Sequence, residues 1–480
     1  MAYCGYITRL KNVRKHSNAD RLLCGECFGN KVIVSLDYTE NQLGVYFPVD
    51  GKLNEEFANK HNLLRKKDEN GNNIGGYLDP EKRNIKALKL RGEQSDGLFM
   101  PLESLADYVD IKTLNEGDTI TTLKGVLICE KYIPRTNRKN NHPAQSKTNK
   151  KKKTITYPFF EEHIDTAQLC YNLNAFKGGD LIEITLKMHG TSQRTAYTLM
   201  KREKVYPYLI YKIRQLLKLK AKESYEYISG TRRCTLENYD GGYYGNNSFR
   251  EQHHNKFVGK LHKGEEVFYE VVGFTDEGKP IMPTASNKKL NDKEFIKKYG
   301  EETVFSYGCN SDGCKESDFS TGAGTVILND TAITVKESKT YEPTPKSDIY
   351  VYRMTMTNPD GEVVEYSYDY MKYRCEQMGV KVVPILDRFI IPDVVFEDDT
   401  LKPITVDAGE FVKFRAELHY DGIDPIGKTH WREGVVVRIA NRPKFTAYKH
   451  KNFTFKVLEG IAKDTATEAD IEEAQEVSAT

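Results

Sequence analysis

Between residues 3 and 133 the apolar positions come in short runs, around 31–36, 45–49 and 126–129, cut by Gly, Asn and Asp. Short strands at such close spacing predict a small β-barrel or sandwich. From 157 to 460 the pattern changes, and alternating strand-like stretches mix with helical ones at 207–224 and 369–378. The fold class expected is therefore α+β, with a β-rich N-terminal domain (1–133) and a larger mixed domain (157–460). Between them, 134–156 carries eight Lys or Arg and no acid, which reads as a solvated basic linker. Residues 461–480 hold six acids and one Lys, as a short solvated helix or a frayed tail would.

The most informative stretch is 180–194, DLIEITLKMHGTSQR. Strand alternation puts Ile182, Ile184 and Leu186 on one face, and Glu183, Thr185 and Lys187 on the other. A strand lysine is usually a solvated surface residue. Here it is followed by Gly190 and small hydroxyl residues, which let a backbone approach phosphates closely. A lysine amine is also a nucleophile once it loses its proton.

Three further segments follow in order. Glu270 lies inside VFYEVVG (267–273), Glu433 opens REGVVVRI (432–439), and Lys449 and Lys451 sit two apart in YKHKNFTFK (448–456). Each alone is commonplace. Together they supply a lysine nucleophile, two carboxylates to hold a ribose or a metal ion, and two lysines to neutralise phosphate charge.

On these residues the chain resembles the covalent nucleotidyltransferases. KMHGTS, YEVVG, EGVVVR and YKHK look like motifs I, III, IV and V, and the HGT after the lysine is similar to ATP-dependent RNA ligases above all. SGTRR (229–233) would be motif Ia, with Arg232 or Arg233 as its arginine, and DIYVYRM (348–354) motif IIIa. Upstream, residues 10–34 and 90–102 resemble pieces of the N-terminal OB-fold domain of Deinococcus-type RNA ligases, a type also met in phage. HIDTAQ (163–168) resembles the lead into motif I. Two features depart from that pattern. Leu186 stands where relatives often carry Glu directly before the lysine, with Glu183 further back, and 274–347 reads as an insertion.

The resemblance implies an OB-like β-barrel followed by an adenylyltransferase core of ATP-grasp-like antiparallel sheets plus helices. It implies Lys187 as the nucleophile toward ATP, forming lysyl-AMP, with AMP passing to a 5′-phosphate end that a 3′-hydroxyl then attacks. Glu270 would hold the ribose, Tyr352 (or, second, Tyr350) would stack on adenine, and Lys449 and Lys451 would contact phosphate. Glu433 would position Mg²⁺ or Mn²⁺. His189 would orient phosphate or metal, or simply pack. The ATP-binding set is thus Glu183, His189, Arg232, Arg233, Glu270 and Tyr352. The partners implied are ATP and RNA ends, or a nicked duplex with an RNA 3′-hydroxyl strand, as in RNA nick repair. Other readings are an inactive nucleic-acid-binding protein or a DNA ligase of unusual domain order. Only 29 residues follow Lys451, too few for the C-terminal OB domain that DNA ligases and capping enzymes place there. A chain beginning near Thr154 would, on this pattern, hold everything needed to react with ATP.

Composition narrows the class further. Lys plus Arg (71) nearly balance Asp plus Glu (69), so overall charge says nothing about partners. Nine scattered cysteines fit a reducing compartment, hence the cytoplasm, or the host cytoplasm for a phage-encoded chain. No run of ~18 apolar residues and no secretory signal pattern appears, so no membrane association is expected; no protein partner is expected either. Cys24/Cys27 and Cys309/Cys314 would form a zinc site only if both pairs met across two domains, so separate thiols are the preferred reading. GGYYG (241–245) lacks the Lys-Ser/Thr ending of a phosphate loop and reads as a turn. His253 and His254, in a polar stretch, read as surface loop.

Overall fold

The computed structural model describes residues 3–71, 73–133, 155–160, 163–202, 222–232, 235–236, 248–273, 275, 281–282, 288–289, 302–303, 324–328, 331–335, 347–396, 403–422, 424–426 and 432–465. Arg233, Cys309, Cys314, residues 241–245, nearly all of the basic stretch and the end of the acidic tail lie outside them. The chain divides into two units. One comprises Met1–Pro134, Ala167–Asn172 and Lys451–Ala466; the other comprises Arg135–Thr166, Leu173–His450 and Thr467–Thr480.

In the first unit β1 (Gly5–Arg9), β2 (Lys11–Lys15), β3 (Leu22–Cys27), β4 (Asn30–Ser35) and β5 (Leu43–Phe47) precede a short helix α1 (Glu55–Lys60). The Asn54 side chain caps α1 by accepting from the backbone N–H groups of Glu56 and Phe57. With β6 (Leu98–Pro101) and β7 (Thr119–Ile120), an antiparallel sheet runs β6-β5-β1-β7, while β2, β3 and β4 form a separate meander. Along β5 the side chains alternate between two cores. Val45 and Phe47 join Ile7, Phe57 and Leu105, whereas Tyr46 joins Leu10, Val32 and Phe99. Both faces of this sheet are thereby buried. Among the described residues the strands make separate ladders rather than a closed barrel. Cys24 and Cys27 are free and buried, and among the described residues no group of three or more His, Cys, Asp or Glu is placed to hold a metal.

The second unit is built on two sheets. β8 (Leu181–Leu186), β9 (Thr191–Arg202), β10 (Lys222–Gly230), α2 (Ser248–Asn255), β11 (Glu265–Gly273) and β12 (Ser347–Thr357) come first. They are followed by α3 (Tyr368–Met378), β13 (Ile385–Ile390), α4 (Ala408–Glu417), β14 (Gly434–Ile439) and β15 (Ala447–Lys451). One sheet contains the order β10-β9-β11-β12, the other the order β13-β8-β14-β15. Residues 187–190 are the turn that carries the chain from β8 in one sheet to β9 in the other. Leu186, Met188, Val272, Tyr350 and Val383 form a small core at this crossing. A larger core joins Phe249 of α2, Tyr269 and Val271 of β11, Ile349 of β12 and Met371 of α3. After β15 the chain enters α5 (Phe453–Thr465), part of the first unit.

The helix expected at 369–378 is α3, started by the Ser367 side chain and stopped by Gly379 in the left-handed region (φ 71°). The end of the other expected helix, 222–224, is strand instead. There β10 pairs residue for residue with β9, and Tyr227 stacks on Tyr197 with centroids 4.4 Å apart. The rest of 207–224 lies outside the described residues. His253 and His254 are not in a surface loop. They lie on α2, His253 buried and bonded through Nε2 to Ser347 Oγ (2.8 Å), His254 Nδ1 3.2 Å from Thr195 Oγ1. Among the described residues no helix is long and apolar enough to cross a membrane.

Candidate active site

The site grows from the end of β8. Ile182, Ile184 and Leu186 are fully buried on one face of this strand, which sits between β13 and β14. The ladder delivers Lys187 to the turn, where its backbone N–H donates to Gly434 O (3.0 Å) at the start of β14. That bond brings the segment 432–439 beside Lys187. Lys187 Nζ lies 2.7 Å from Glu433 Oε1, and His189 Nδ1 lies 3.3 Å from Glu433 Oε2. Glu433 and His189 are each about 4% exposed, against 22% for Lys187, so only the lysine keeps substantial access to solvent.

Two glycines make this approach feasible. A Cβ on Gly190 would lie 2.2 Å from Val271 O and 3.0 Å from Glu270 Cγ, so any side chain would push β11 away from the turn. Gly434 has φ 143°, a backbone conformation that L side chains rarely adopt.

Glu270 faces the same segment from β11. It is paired with Ser192 across the β9–β11 ladder, and Ser192 Oγ lies 3.5 Å from its Oε2. Next along the sheet, β12 sets Tyr350 opposite Glu270, and Tyr352, at a break in the pairing register, packs against the same small core. Tyr350 is buried in the small core, while Tyr352 is only half-buried against it. The edge of the His163 ring meets Tyr352 with centroids 5.9 Å apart. His163 Nδ1 is 3.7 Å from Asp165 Oδ1, which is 3.6 Å from Arg232 Nε. The His163 contact and then the Arg232 charge hold the Asp165 carboxyl well below the usual carboxylate range. A chain of contacts thus runs from Tyr352 to Arg232.

Sequence reasoning missed Arg250. It is wholly buried on α2, donates to Ser192 O (3.1 Å) and to Thr191 Oγ1 (2.8 Å), and so clamps the strand that leaves the His-Gly turn. Its signal in the sequence, one arginine in a polar stretch, is indistinguishable from a surface residue.

Two expected residues take other partners. Glu183 is fully buried on β8, opposite Arg388 on one side and Arg438 on the other, with Arg388 3.2 Å away. Burial raises its carboxyl above the ordinary value, and the two arginines counteract this only in part. Four residues along a strand span about 13 Å, so Glu183 does not stand in for a glutamate adjacent to Lys187. Lys449 and Lys451 share β15, beside β14. Lys451 belongs to the first unit and is held by both carboxylate oxygens of Glu459, at 2.8 and 3.0 Å.

The arrangement provides an amine with a carboxylate in hydrogen-bond reach, so a proton has somewhere to go when the nitrogen attacks. For a divalent cation the donors present are the Glu433 carboxylate and the His189 ring. Such a sparse oxygen-bearing set fits an ion like Mg²⁺, which keeps several waters and binds through one or two carboxylates plus substrate phosphates.

No family model matches the chain, and no curated protein does either. Solved structures do. The chain is similar to a point variant of Naegleria gruberi RNA ligase with ATP and Mn, at 15% identity and a TM-score of 0.52, over 96% of this chain and 98% of that one. It is similar to a second variant of that ligase with AMP and Mn (14%, TM-score 0.50, 95% and 98%) and to the ligase with PPi (15%, TM-score 0.50, 94% and 97%). At such identity the likeness extends to the fold, and the sheet-rich mixed fold of this chain is similar to that of an RNA ligase.

Proposed function

We propose that this protein is an ATP-dependent RNA ligase that joins 3′-hydroxyl and 5′-phosphate ends, acting in RNA nick repair. The observation that carries the reading is the cluster of Lys187, Glu433 and His189 at the crossing of two sheets. It occurs in a fold similar to that of RNA ligases solved with ATP, AMP and PPi.

The Lys187 nitrogen attacks the α-phosphorus of ATP. A P–N bond forms, the bond to the pyrophosphate oxygen breaks, and the amine proton leaves through Glu433 or water. The 5′-phosphate oxygen of a nucleic-acid end then displaces the lysine, taking AMP and making a pyrophosphate linkage. The 3′-hydroxyl attacks that 5′-phosphorus, a phosphodiester forms, AMP departs, and the hydroxyl proton is released. Glu270 holds the ribose hydroxyls, Tyr352 stacks on adenine, Arg232 and Lys449 contact nucleotide oxygens, and His189 keeps Glu433 oriented. Arg233 belongs to the same motif. Mg²⁺ or Mn²⁺, held by Glu433 and water, supplies charge neutralisation on the phosphates.

The N-terminal unit, built mainly of antiparallel strands, serves as the OB-like platform for RNA ends. The decisive experiment is incubation with radiolabelled ATP and, separately, GTP. A covalent adduct from ATP alone, mapped by mass to Lys187, supports the reading. No adduct from either nucleotide would leave an inactive nucleic-acid-binding protein.

A further inference from the structure

Lys187 stands on the turn between β8 and β9, and Glu270 on β11. What spaces them is the first stretch of β9. Thr191 is the cross-strand partner of Val271, and Ser192 of Glu270, and these are the terminal pairs of that ladder. The end of a ladder is where pairing opens most readily. The fit there is close, since a Cβ on Gly190 would lie 2.2 Å from Val271 O. A small slip of β9 against β11 would therefore be felt at the lysine turn.

Arg250 ties this end down. It is 2% exposed, and its guanidinium donates through one nitrogen to Ser192 O (3.1 Å) and through another to Thr191 Oγ1 (2.8 Å). A planar guanidinium grips two neighbouring acceptors in a fixed fork, which the point charge of an ammonium does not. The residue is itself held in place. Its own carbonyl accepts from Gln193 Nε2 (2.8 Å), one residue further along β9. Phe249 beside it packs with Tyr269 and Val271 of β11, and His253, later on α2, is bonded to Ser347 Oγ (2.8 Å) at the start of β12. The guanidinium thus reaches the turn from a rigid support.

We propose that Arg250 is a positioning residue, which sets the spacing between the lysine turn and Glu270 by holding Thr191 and Ser192 against β11. This rests on the nucleotidyl-transfer reading above. Being buried, Arg250 acts through those two residues and not on the nucleotide. The nucleotide's sugar follows β11, whereas the amine follows the turn. Loosening the clamp lets the amine drift from the α-phosphorus while the groups that bind ATP remain. The loss therefore lies in the rate at saturating ATP, where a misplacement of about 1 Å can cost about 10²-fold.

The test reads single-turnover lysyl-AMP formation by the full chain across ATP concentrations, alongside the thermal midpoint. Arg250→Lys keeps the charge but loses the fork, and should slow the saturated rate about tenfold. The ATP concentration giving half that rate should move less than about twofold, a split that partial unfolding, which lowers the amplitude instead, does not produce. Thr191→Val removes one of the two acceptors at nearly constant volume. In that background Arg250→Lys should cost no more than about threefold, since part of what it breaks is already gone. A loss of about tenfold there would overturn the inference, because Arg250 would then act through the fold. So would a wild-type adduct combined with an unimpaired Arg250→Lys rate. Should Arg250→Lys fail to fold, Thr191→Val alone decides. A several-fold slower saturated rate at unchanged ATP dependence is expected of it, and a wild-type rate would overturn the inference. A wild-type chain that forms no adduct would overturn the nucleotidyl-transfer reading, and this inference with it.

Discussion

Lys187 and Glu433 stand far apart in the chain, yet their side chains meet at 2.7 Å because β8 and β14 are neighbouring strands of one sheet. The register pairs Leu186 with Val435, so the residues next beyond each strand converge at the same end. One ladder thereby supplies both the amine and the carboxylate beside it.

Lys187→Ala should abolish the covalent AMP adduct while the chain still folds, at some cost in thermal midpoint because buried Glu433 loses its cation. Lys187→Arg should fail equally, because a guanidinium stays protonated and cannot attack. Intact-mass analysis after incubation with ATP checks both. An adduct of normal yield on either variant would rule out this nucleophile.

Removing the carboxylate should be nearly as damaging. Glu433→Gln is expected to slow single-turnover adduct formation on the order of 10²–10³-fold, and Lys449→Ala by a similar factor, as when one preorganised charge-stabilising group is lost. Wild-type rates in quench-flow for both variants would reduce these residues to structural charges.

Asp165 links Arg232 to the His163 ring that edges Tyr352. Asp165→Asn removes the carboxylate charge from the Arg232 contact. The expected result is a several-fold rise in the ATP concentration needed for half-maximal adduct formation, with the saturated rate little changed. A fall in the saturated rate alone, at unchanged ATP dependence, would contradict a role in binding the nucleotide.

His253 predicts an acid-sensitive stability. Burial lowers it from its ordinary 6.5 to about 3. In the unfolded chain it takes up a proton as pH drops through 6.5, while the folded protein excludes that proton until about 3. Its contribution is therefore fully present above pH 6.5 and declines below it, by about 2 kcal/mol at pH 5 if no other group intervenes. Thermal melts between pH 7.5 and 5 should show a shallower acid decline for His253→Gln than for the wild type. Equal slopes would mean that other groups control this limb.

Substrate class is tested by nicked duplexes that differ only in the last nucleotides of the 3′-hydroxyl strand. RNA there should be sealed far faster than DNA, because a 2′-hydroxyl adds a donor and an acceptor and favours A-form sugar geometry. The 5′-phosphate strand, contributing mainly its phosphate, should tolerate DNA. Equal rates with both 3′ strands would point to a DNA ligase of unusual domain order.

A chain beginning near Thr154 should behave differently from what the linear pattern implies. Lys451–Ala466 and Ala167–Asn172 cluster with Met1–Pro134, and Lys456 pairs with Asp96. Truncation strips α5 of its support, so lysyl-AMP formation should fall sharply rather than persist. A truncated chain that forms the adduct at the full-length rate would show that the core is autonomous.

The strands that hold the residues proposed for nucleotidyl transfer are legible in the sequence, because each is a short segment whose alternation already announces a strand. Lys187, Glu270, Glu433 and Lys449 all fall at or beside strands where that alternation put them. The helix at 369–378 was equally legible, since local caps and periodicity suffice to specify it. What adjacency in sequence does not encode is which distant strand becomes the neighbour. Only the sheet order brings Glu433 to Lys187, sends Glu183 to Arg388, and buries His253 and Arg250 in a stretch too polar to suggest a core. Only the tertiary structure assigns Lys451 to the first unit and pairs it with Glu459 of the helix that follows. Strand periodicity is a property of neighbouring residues and survives in one dimension. The choice of partner is decided by the free energy of the whole packed sheet, in which every long-range contact must be satisfied together.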